Sequence, residues 1–179
     1  NDQPRLWHTP DDGPVRENFR VPSDWRIEIG ADTGTYCAAL VVAVSPEGTA
    51  YVLDELTNYR YVAHTPELDA ESSLVRWIDG VRRMSALWKA RPMAWVDSNS
   101  QFKAECAHHG LHLVANHRGR EVRTEAARQY FQHDQIFLAP WLTMLPYELE
   151  QAQWPEKTSA AGKYERIKRH DHALDCLEH

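Results

Sequence analysis

Three acidic positions in this chain stand where one point in space could collect them. Asp32 ends the apolar alternation around Ile27 and Ile29 and is followed by Thr33-Gly34-Thr35, a tight exit from a strand. Asp97 repeats the arrangement, with Ala94-Trp95-Val96 leading in and Ser98-Asn99-Ser100 reading as a helix start. In the stretch Arg169-His170-Asp171-His172-Ala173-Leu174-Asp175-Cys176-Leu177, helical spacing sets Asp171 and Asp175 on one face with His172 beside Asp175. Carboxylate oxygens are what hard divalent cations such as Mg²⁺ and Mn²⁺ prefer. Two such ions, about 3.5–4 Å apart, activate a water and stabilise the leaving oxygen of an in-line phosphodiester displacement, so no side-chain nucleophile is required. Each acid taken alone has a plainer reading: a strand-end carboxylate caps the next helix, and an Asp near a helix start complements the helix dipole. In a chain with 26 acids, the order and context of these few carry the argument.

The elements that must position them follow from periodicity. Arg26–Ala31, Tyr36–Val44 and Thr49–Leu56 read as strands of an antiparallel meander, with Ser45-Pro46-Glu47-Gly48 as the turn between the last two. A long helix is expected over Pro66–Ala90, starting after Thr65-Pro66 and stopping before Pro92. Met93–Val96 is a short strand, Gln101–His109 a helix closed by Gly110, and Leu111–Ala115 another strand. A helix over 121–132, a strand at Gln135–Leu138, a helix over 142–152 and a last helix from about Asp171 complete the series. The pattern predicts an α/β fold with a mixed central sheet flanked by helices.

Residues 1–24 hold four of the ten prolines and read as a linker or arm, leaving 25–177 as one domain of ordinary size. The ending Leu177-Glu178-His179 resembles a tag junction at 178–179, and the start at Asn1 suggests a piece of a longer protein. The longest apolar run, Ala38–Val44, is far short of the roughly 20 residues of a membrane span. Cys37, Cys106 and Cys176 lack a pairing pattern and read as reduced, buried thiols. No GxxxxGK[ST] phosphate loop occurs, which argues against a P-loop ATPase.

The net charge of −6 argues against a nonspecific basic coat for nucleic acid. Basic residues do cluster: Arg118, Arg120, Arg123 and Arg128 in one place, Lys163 and Lys168 with Arg166 and Arg169 in another. Such runs are ordinarily solvated helix faces, and become phosphate contacts only if a nucleic acid is the substrate. Asp54 and Glu55 end the third strand, but alternation lets only one of them face the acids above, and a polar strand end is the plainer reading. Cys106, His108, His109 and His112 lack the complementary pair of a zinc site.

One family joins these pieces. Ile29-Gly30-Ala31-Asp32-Thr33-Gly34, a meander ending Tyr51-Val52-Leu53-Asp54-Glu55, Trp95-Val96-Asp97 and the closing Asp171-His172-Ala173-Leu174-Asp175 resemble, in that order, the nuclease domain of tailed-bacteriophage terminase large subunits. The closing segment is the most specific piece. The resemblance implies a ribonuclease H-like fold and a two-metal endonuclease, using Mg²⁺ or Mn²⁺, that cuts concatemeric double-stranded DNA during genome packaging. It also implies a preceding ATPase domain in the full protein, a terminase small subunit and a portal as partners, and the host cytoplasm as location.

Carried over by position, Asp32, Asp97 and Asp175 are the catalytic acids and metal ligands, with Asp171 and His172 as accessory ligands. The basic residues Arg118, Arg120, Arg123, Arg128, Lys163 and Lys168 become DNA-backbone candidates. Two departures stand out: Cys176-Leu177 occupies a place where Ala-Leu is usual, and the fourth acid of cellular ribonuclease H has no clear match. A Holliday-junction resolvase or transposase of the same fold shares the three acids. Asp32-Thr33-Gly34-Thr35 also matches the DxGT loop of sugar-kinase and actin-like phosphotransferases, which need a second lobe and a second phosphate loop that this sequence does not show. A non-catalytic interaction module is the remaining alternative.

Overall fold

A computed structural model of the chain describes residues 15–16, 19–70, 73–90, 93–96, 100–115, 120–152 and 172–178. A short antiparallel ribbon, β1 (Val15–Arg16) with β2 (Phe19–Arg20), precedes the main sheet. The strands β3 (Arg26–Asp32), β4 (Ala38–Val44) and β5 (Ala50–Thr57) then run as an antiparallel meander. Gly48 closes the β4–β5 turn at φ +88°, a conformation a side chain resists. After a hairpin of β6 (Tyr59–Val62) and β7 (Thr65–Leu68) come α1 (Leu74–Trp88), β8 (Met93–Val96), α2 (Ser100–His108) and β9 (His112–Ala115). The series ends with α3 (Arg120–Gln132), β10 (Ile136–Leu138), α4 (Met144–Gln151) and α5 (His172–Glu178).

The central sheet has six strands in the order β10-β5-β4-β3-β8-β9. β8 runs parallel to β3, β9 parallel to β8, and β10 parallel to β5. The expected mixed sheet, a meander extended by parallel strands, is the one found. Side chains alternate across it as a two-residue period requires. Ile27, Ile29, Ala31, Val41 and Leu53 meet Trp77, Ile78, Val81 and Trp88 of α1 on one face. On the other, Ala38, Leu40 and Val52 meet Leu142, Leu145, Ala173 and Cys176, so α4 and α5 cover that side.

The region after the meander differs from the expectation. Thr65-Pro66 does not start a helix: Pro66 is buried in β7 opposite Tyr61, and the long helix begins only at Leu74, after the N-cap Ser73. Its Oγ accepts from the N–H of Arg76 at 3.2 Å. The hairpin escaped notice because its two-residue turn is Ala63-His64, with φ +47° and +65°. Such turns need positive φ and are ordinarily marked by Asn-Gly or Asp-Gly, so the sequence carries no signal for this one.

Asp54 and Glu55 point to opposite sides, and neither joins Asp32. Asp54 Oδ2 accepts from Trp88 Nε1 at 2.8 Å, fastening β5 to α1. Glu55 caps α4 from a distance of 88 residues or more in sequence: Oε1 accepts from the N–H and hydroxyl of Thr143 and from the N–H of Met144, and Oε2 from the N–H of Leu145. These are the donors a helix start leaves without intrahelical partners, and a carboxylate also favours the positive end of the helix dipole. Glu55→Ala is therefore expected to destabilise the fold by about 2 kcal/mol, the upper range for a lost cap, lowering Tm by roughly 4–8 °C. Differential scanning calorimetry checks this; a shift under about 1 °C would refute the capping role.

Candidate active site

Asp32 lies at the carboxyl end of β3, in the middle of the sheet, and α5 crosses the sheet face directly against β3 and β4. The crossing is close because residue 30 is glycine: a Cβ there would lie 2.5 Å from the main-chain oxygen of Cys176. Two residues of α5, one turn apart, hold Asp32 at two points. His172 Nδ1 lies 2.8 Å from Asp32 Oδ2. The main-chain N–H of Asp32 donates to Cys176 Sγ at 3.0 Å. An ionised carboxylate only accepts, so Nδ1 carries the hydrogen and Nε2 is left for another partner. Asp175, in the same helix, is buried at 9% exposure.

Aromatic rings enclose His172. Tyr36 and Tyr59 each stand with ring centroids 5.5 Å from it. Behind Tyr59 lies a group the sequence reading missed: Glu148 of α4, only 2% exposed, accepts from Tyr59 Oη at 2.8 Å and Tyr61 Oη at 2.9 Å through Oε1. One sequence signal pointed to it. Leu142, Leu145 and Glu148 follow one another at three-residue spacing, so this acid falls on the inward stripe of its helix. Burial, and then the Glu148 carboxylate, push the Tyr59 phenol far above its ordinary range, so it stays a donor.

Opposing effects act on His172. Burial favours the neutral ring, but the hydrogen bond to Asp32 and its charge, with the charges of Glu148 and Asp175, outweigh it and leave the pKa raised. A raised folded-state value means that the imidazolium stabilises the fold fully below the ordinary histidine value of about 6.5, and that this contribution fades as pH climbs through the raised value. In EDTA, wild type is therefore expected to lose more stability between pH 6 and 9 than His172→Gln, as read from urea midpoints. Parallel losses in the two proteins would exclude His172 as the source. Cys176 is held well above the ordinary thiol range, by burial first and then by the Asp32 charge, and remains a thiol.

Of the site residues singled out in the sequence, the structure brings Asp32, His172 and the α5 turn of Asp175 to one sheet end. β8, whose carboxyl end lies beside that of β3 in the parallel register Ile29–Ala94 and Gly30–Trp95, stops at Val96. Asp97 and Asp171 lie outside the described residues, as do Arg118, Lys163 and Lys168. Arg120 and Arg123 sit on α3, whose side chains at those positions are not described. α3 packs against α5, and Arg128 on it forms a two-pronged bond with Glu125 at 2.7 and 2.8 Å. Cys106 is buried at the base of α2, and His109 Nε2 lies 3.3 Å from Glu105.

The strand-end carboxylate and the buried carboxylate fit a hard divalent cation in kind, and the imidazole, its other nitrogen fixed by a carboxylate, is the donor that softer transition metals favour. Among the described residues no group of three His, Cys, Asp or Glu is close enough to hold one ion. At the sheet end, Asp32 and His172 are in direct contact.

The meander, the parallel strands added beyond β3, the helices on both faces and the acid at the central strand end define a ribonuclease H-like fold. Solved structures similar to it include the nuclease domains of phage large terminases. The P22 large terminase nuclease domain superposes with a TM-score of 0.68 at 14% identity, covering 97% of this chain and 88% of that one. The large terminase of bacteriophage HK97 gives 0.66 at 11%, covering 97% of this chain and 40% of that one. The nuclease of thermophilic phage G20c with bound cobalt gives 0.59 at 14%, covering 88% of this chain and 80% of that one. The chain thus spans about 40% of the length of the large terminases it matches. No protein-family model matches the chain, and no curated protein sequence does.

Proposed function

We propose that this chain is the metal-dependent DNA endonuclease domain of a phage packaging terminase, cutting concatemeric double-stranded DNA in the host cytoplasm. The observation that carries it is Asp32 at the carboxyl end of the central strand, held by His172 and Cys176 of the helix that also bears Asp175. The cobalt in the G20c nuclease supports a divalent-metal requirement, read here as two Mg²⁺ or Mn²⁺ ions. In the full protein an ATPase domain would precede this one, with the small subunit and portal as partners; the large-terminase neighbours, one of them in complex with ADP, support that setting.

In this mechanism Asp32, Asp97 and Asp175 would hold the ions, with Asp171 and His172 completing the set. Bound cations supply an activated water and neutralise charge on the scissile phosphodiester. The protein's own part is orientation. His172 Nδ1 donates to Asp32 Oδ2 and so directs Nε2 outward, while Cys176, in place of the usual Ala, accepts the Asp32 N–H and pins the strand end. Tyr36 and Tyr59 pack beside the His172 ring and hold its orientation. The basic residues Arg118, Arg120, Arg123, Arg128, Lys163 and Lys168 are proposed to meet the DNA backbone, with α3 beside α5 as the element that brings three of them near.

The test is cleavage of supercoiled plasmid with Mg²⁺ or Mn²⁺, set against EDTA and against Asp97→Ala. Metal-dependent nicking and linearisation, absent from both controls, is the expected result. Cutting that survives Asp97→Ala would overturn the ligand assignment. Intact plasmid together with equal metal affinity in wild type and Asp97→Ala, by calorimetry, would overturn the nuclease reading.

A further inference from the structure

The sheet end that carries Asp32 also carries a cleft that the mechanism above leaves unused. Asp32 pairs with Ala38, and Ala38 with Thr57, so Thr57 lies two strands away along the same end. At an inter-strand spacing of ~4.8 Å that is about 10 Å. Between Thr57-Asn58 and the first turns of α1 opens a cleft of about 560 Å³, lined by Thr57, Asn58, Ser73, Arg76, Trp77 and Arg83 among others. Ligand sites commonly fall between roughly 300 and 1,000 Å³.

Its chemistry favours an anion. Arg76 and Arg83 are seven residues apart, two turns along one face of α1, and both are exposed at the cleft. Guanidinium forks match phosphate oxygens in geometry and charge. Ser73, the N-cap, brings the positive end of the α1 dipole to the same place, and no acid in the first turn offsets it. Trp77 also lines the cleft, and its Nε1 is the buried side-chain donor without a hydrogen-bond partner among the described residues. Among the described residues of the lining, Asp69 is the acid beside the two arginines.

The cleft is also tied mechanically to the candidate site. Asn58 Oδ1 accepts from the Cys37 N–H at 2.7 Å, and its Nδ2 donates to the Thr35 carbonyl at 3.1 Å. Those residues belong to the loop that leaves Asp32.

We propose that this cleft binds a phosphate group, and that its occupant is a backbone phosphodiester of the DNA duplex presented to Asp32. The choice of occupant rests on the nuclease reading; the phosphate chemistry rests on the cleft itself. Such a contact positions the duplex and reads no sequence.

The experiment measures anisotropy of a labelled 30-base-pair duplex in EDTA, so that nothing is cut, over a range of salt. Wild type is compared with Arg83→Gln, with Arg76→Gln/Arg83→Gln, and with Arg82→Gln, an arginine outside the lining that pairs with Asp79 at 3.7 Å. The expected result is a loss of about three- to tenfold in affinity per cleft arginine, the same for unrelated sequences. The slope of log K against log salt should shrink by about 1 per arginine, with Arg82→Gln unchanged on both counts. Unchanged affinity and slope in the double variant overturn the proposal. Thermal stabilisation of wild type, but not of the double variant, by inorganic phosphate or dAMP, with duplex affinity equal in both, overturns the duplex as occupant and assigns the cleft to a small phosphate ligand. Plasmid cleavage by the same proteins separates the two readings. Arginine-dependent duplex binding without cutting sustains the cleft and counts against the nuclease, whereas cutting with unaltered binding does the reverse.

Discussion

Asp32→Asn is expected to reduce metal-dependent plasmid cleavage by at least ~100-fold, since replacing even the outer partners of a metal ligand costs about 10- to 100-fold and this change removes the charge of the proposed ligand itself. The substitution is close to isosteric. An Asn carbonyl still accepts from His172 Nδ1, and the main-chain N–H that reaches Cys176 Sγ is untouched. The fold therefore persists, with a Tm in EDTA within roughly 5 °C of wild type, for the loss of one partly buried charge-assisted bond. The two readouts together separate chemistry from folding. Cleavage within fivefold of wild type at saturating Mg²⁺ would remove Asp32 from the metal site, whatever the stability shows.

Gly30→Ala is expected to damage both stability and activity although residue 30 carries no functional group. The added Cβ would meet the carbonyl oxygen of Cys176 at 2.5 Å. Main chain cannot swing aside as a side-chain tip can, so α5 must lift from β3. Such overpacking costs about 1–3 kcal/mol, or roughly 2–12 °C in Tm for a domain of this size. The displaced helix carries His172, Asp175 and Cys176, and misplacing reacting groups by about 1 Å costs on the order of 100-fold in rate. Gly34→Ala is the matched control: its Cβ would approach nothing closer than Tyr36 O at 3.8 Å, and its φ is not positive. Gly34→Ala should stay within about 1 kcal/mol of wild type. If calorimetry and plasmid cleavage place the two alanine variants together, the close approach of α5 to β3 is not what shapes the site.

Legibility in the sequence followed the range of the interaction. The meander was visible because β3, β4 and β5 each alternate or run apolar over seven or eight residues, and because Gly48 marks a turn. α2 was visible through its closing Gly110, at φ +77°. The hairpin β6–β7 was not, since Ala63 and His64 adopt positive φ against their own preference and Pro66 mimics a helix start. What holds that hairpin is remote: Tyr59 and Tyr61 reach Glu148, and Tyr36 Oη donates to the Pro66 carbonyl at 3.1 Å. Glu55 tells the same story. Its carboxylate reads as a polar strand end, yet it is spent on capping a helix far along the chain.

By itself, then, the sequence determined the fold class, the strand-end place of Asp32 and the helical spacing of His172, Asp175 and Cys176, because period and spacing are properties of neighbouring residues. Tertiary structure alone decided which groups meet. Gly30 admits α5, His172 contacts Asp32, Cys176 takes the Asp32 N–H, and Glu148 is drawn under the tyrosines. The hydrogen bonds among them join residues 87 to 144 positions apart, and their energies depend on burial and packing that no local pattern encodes.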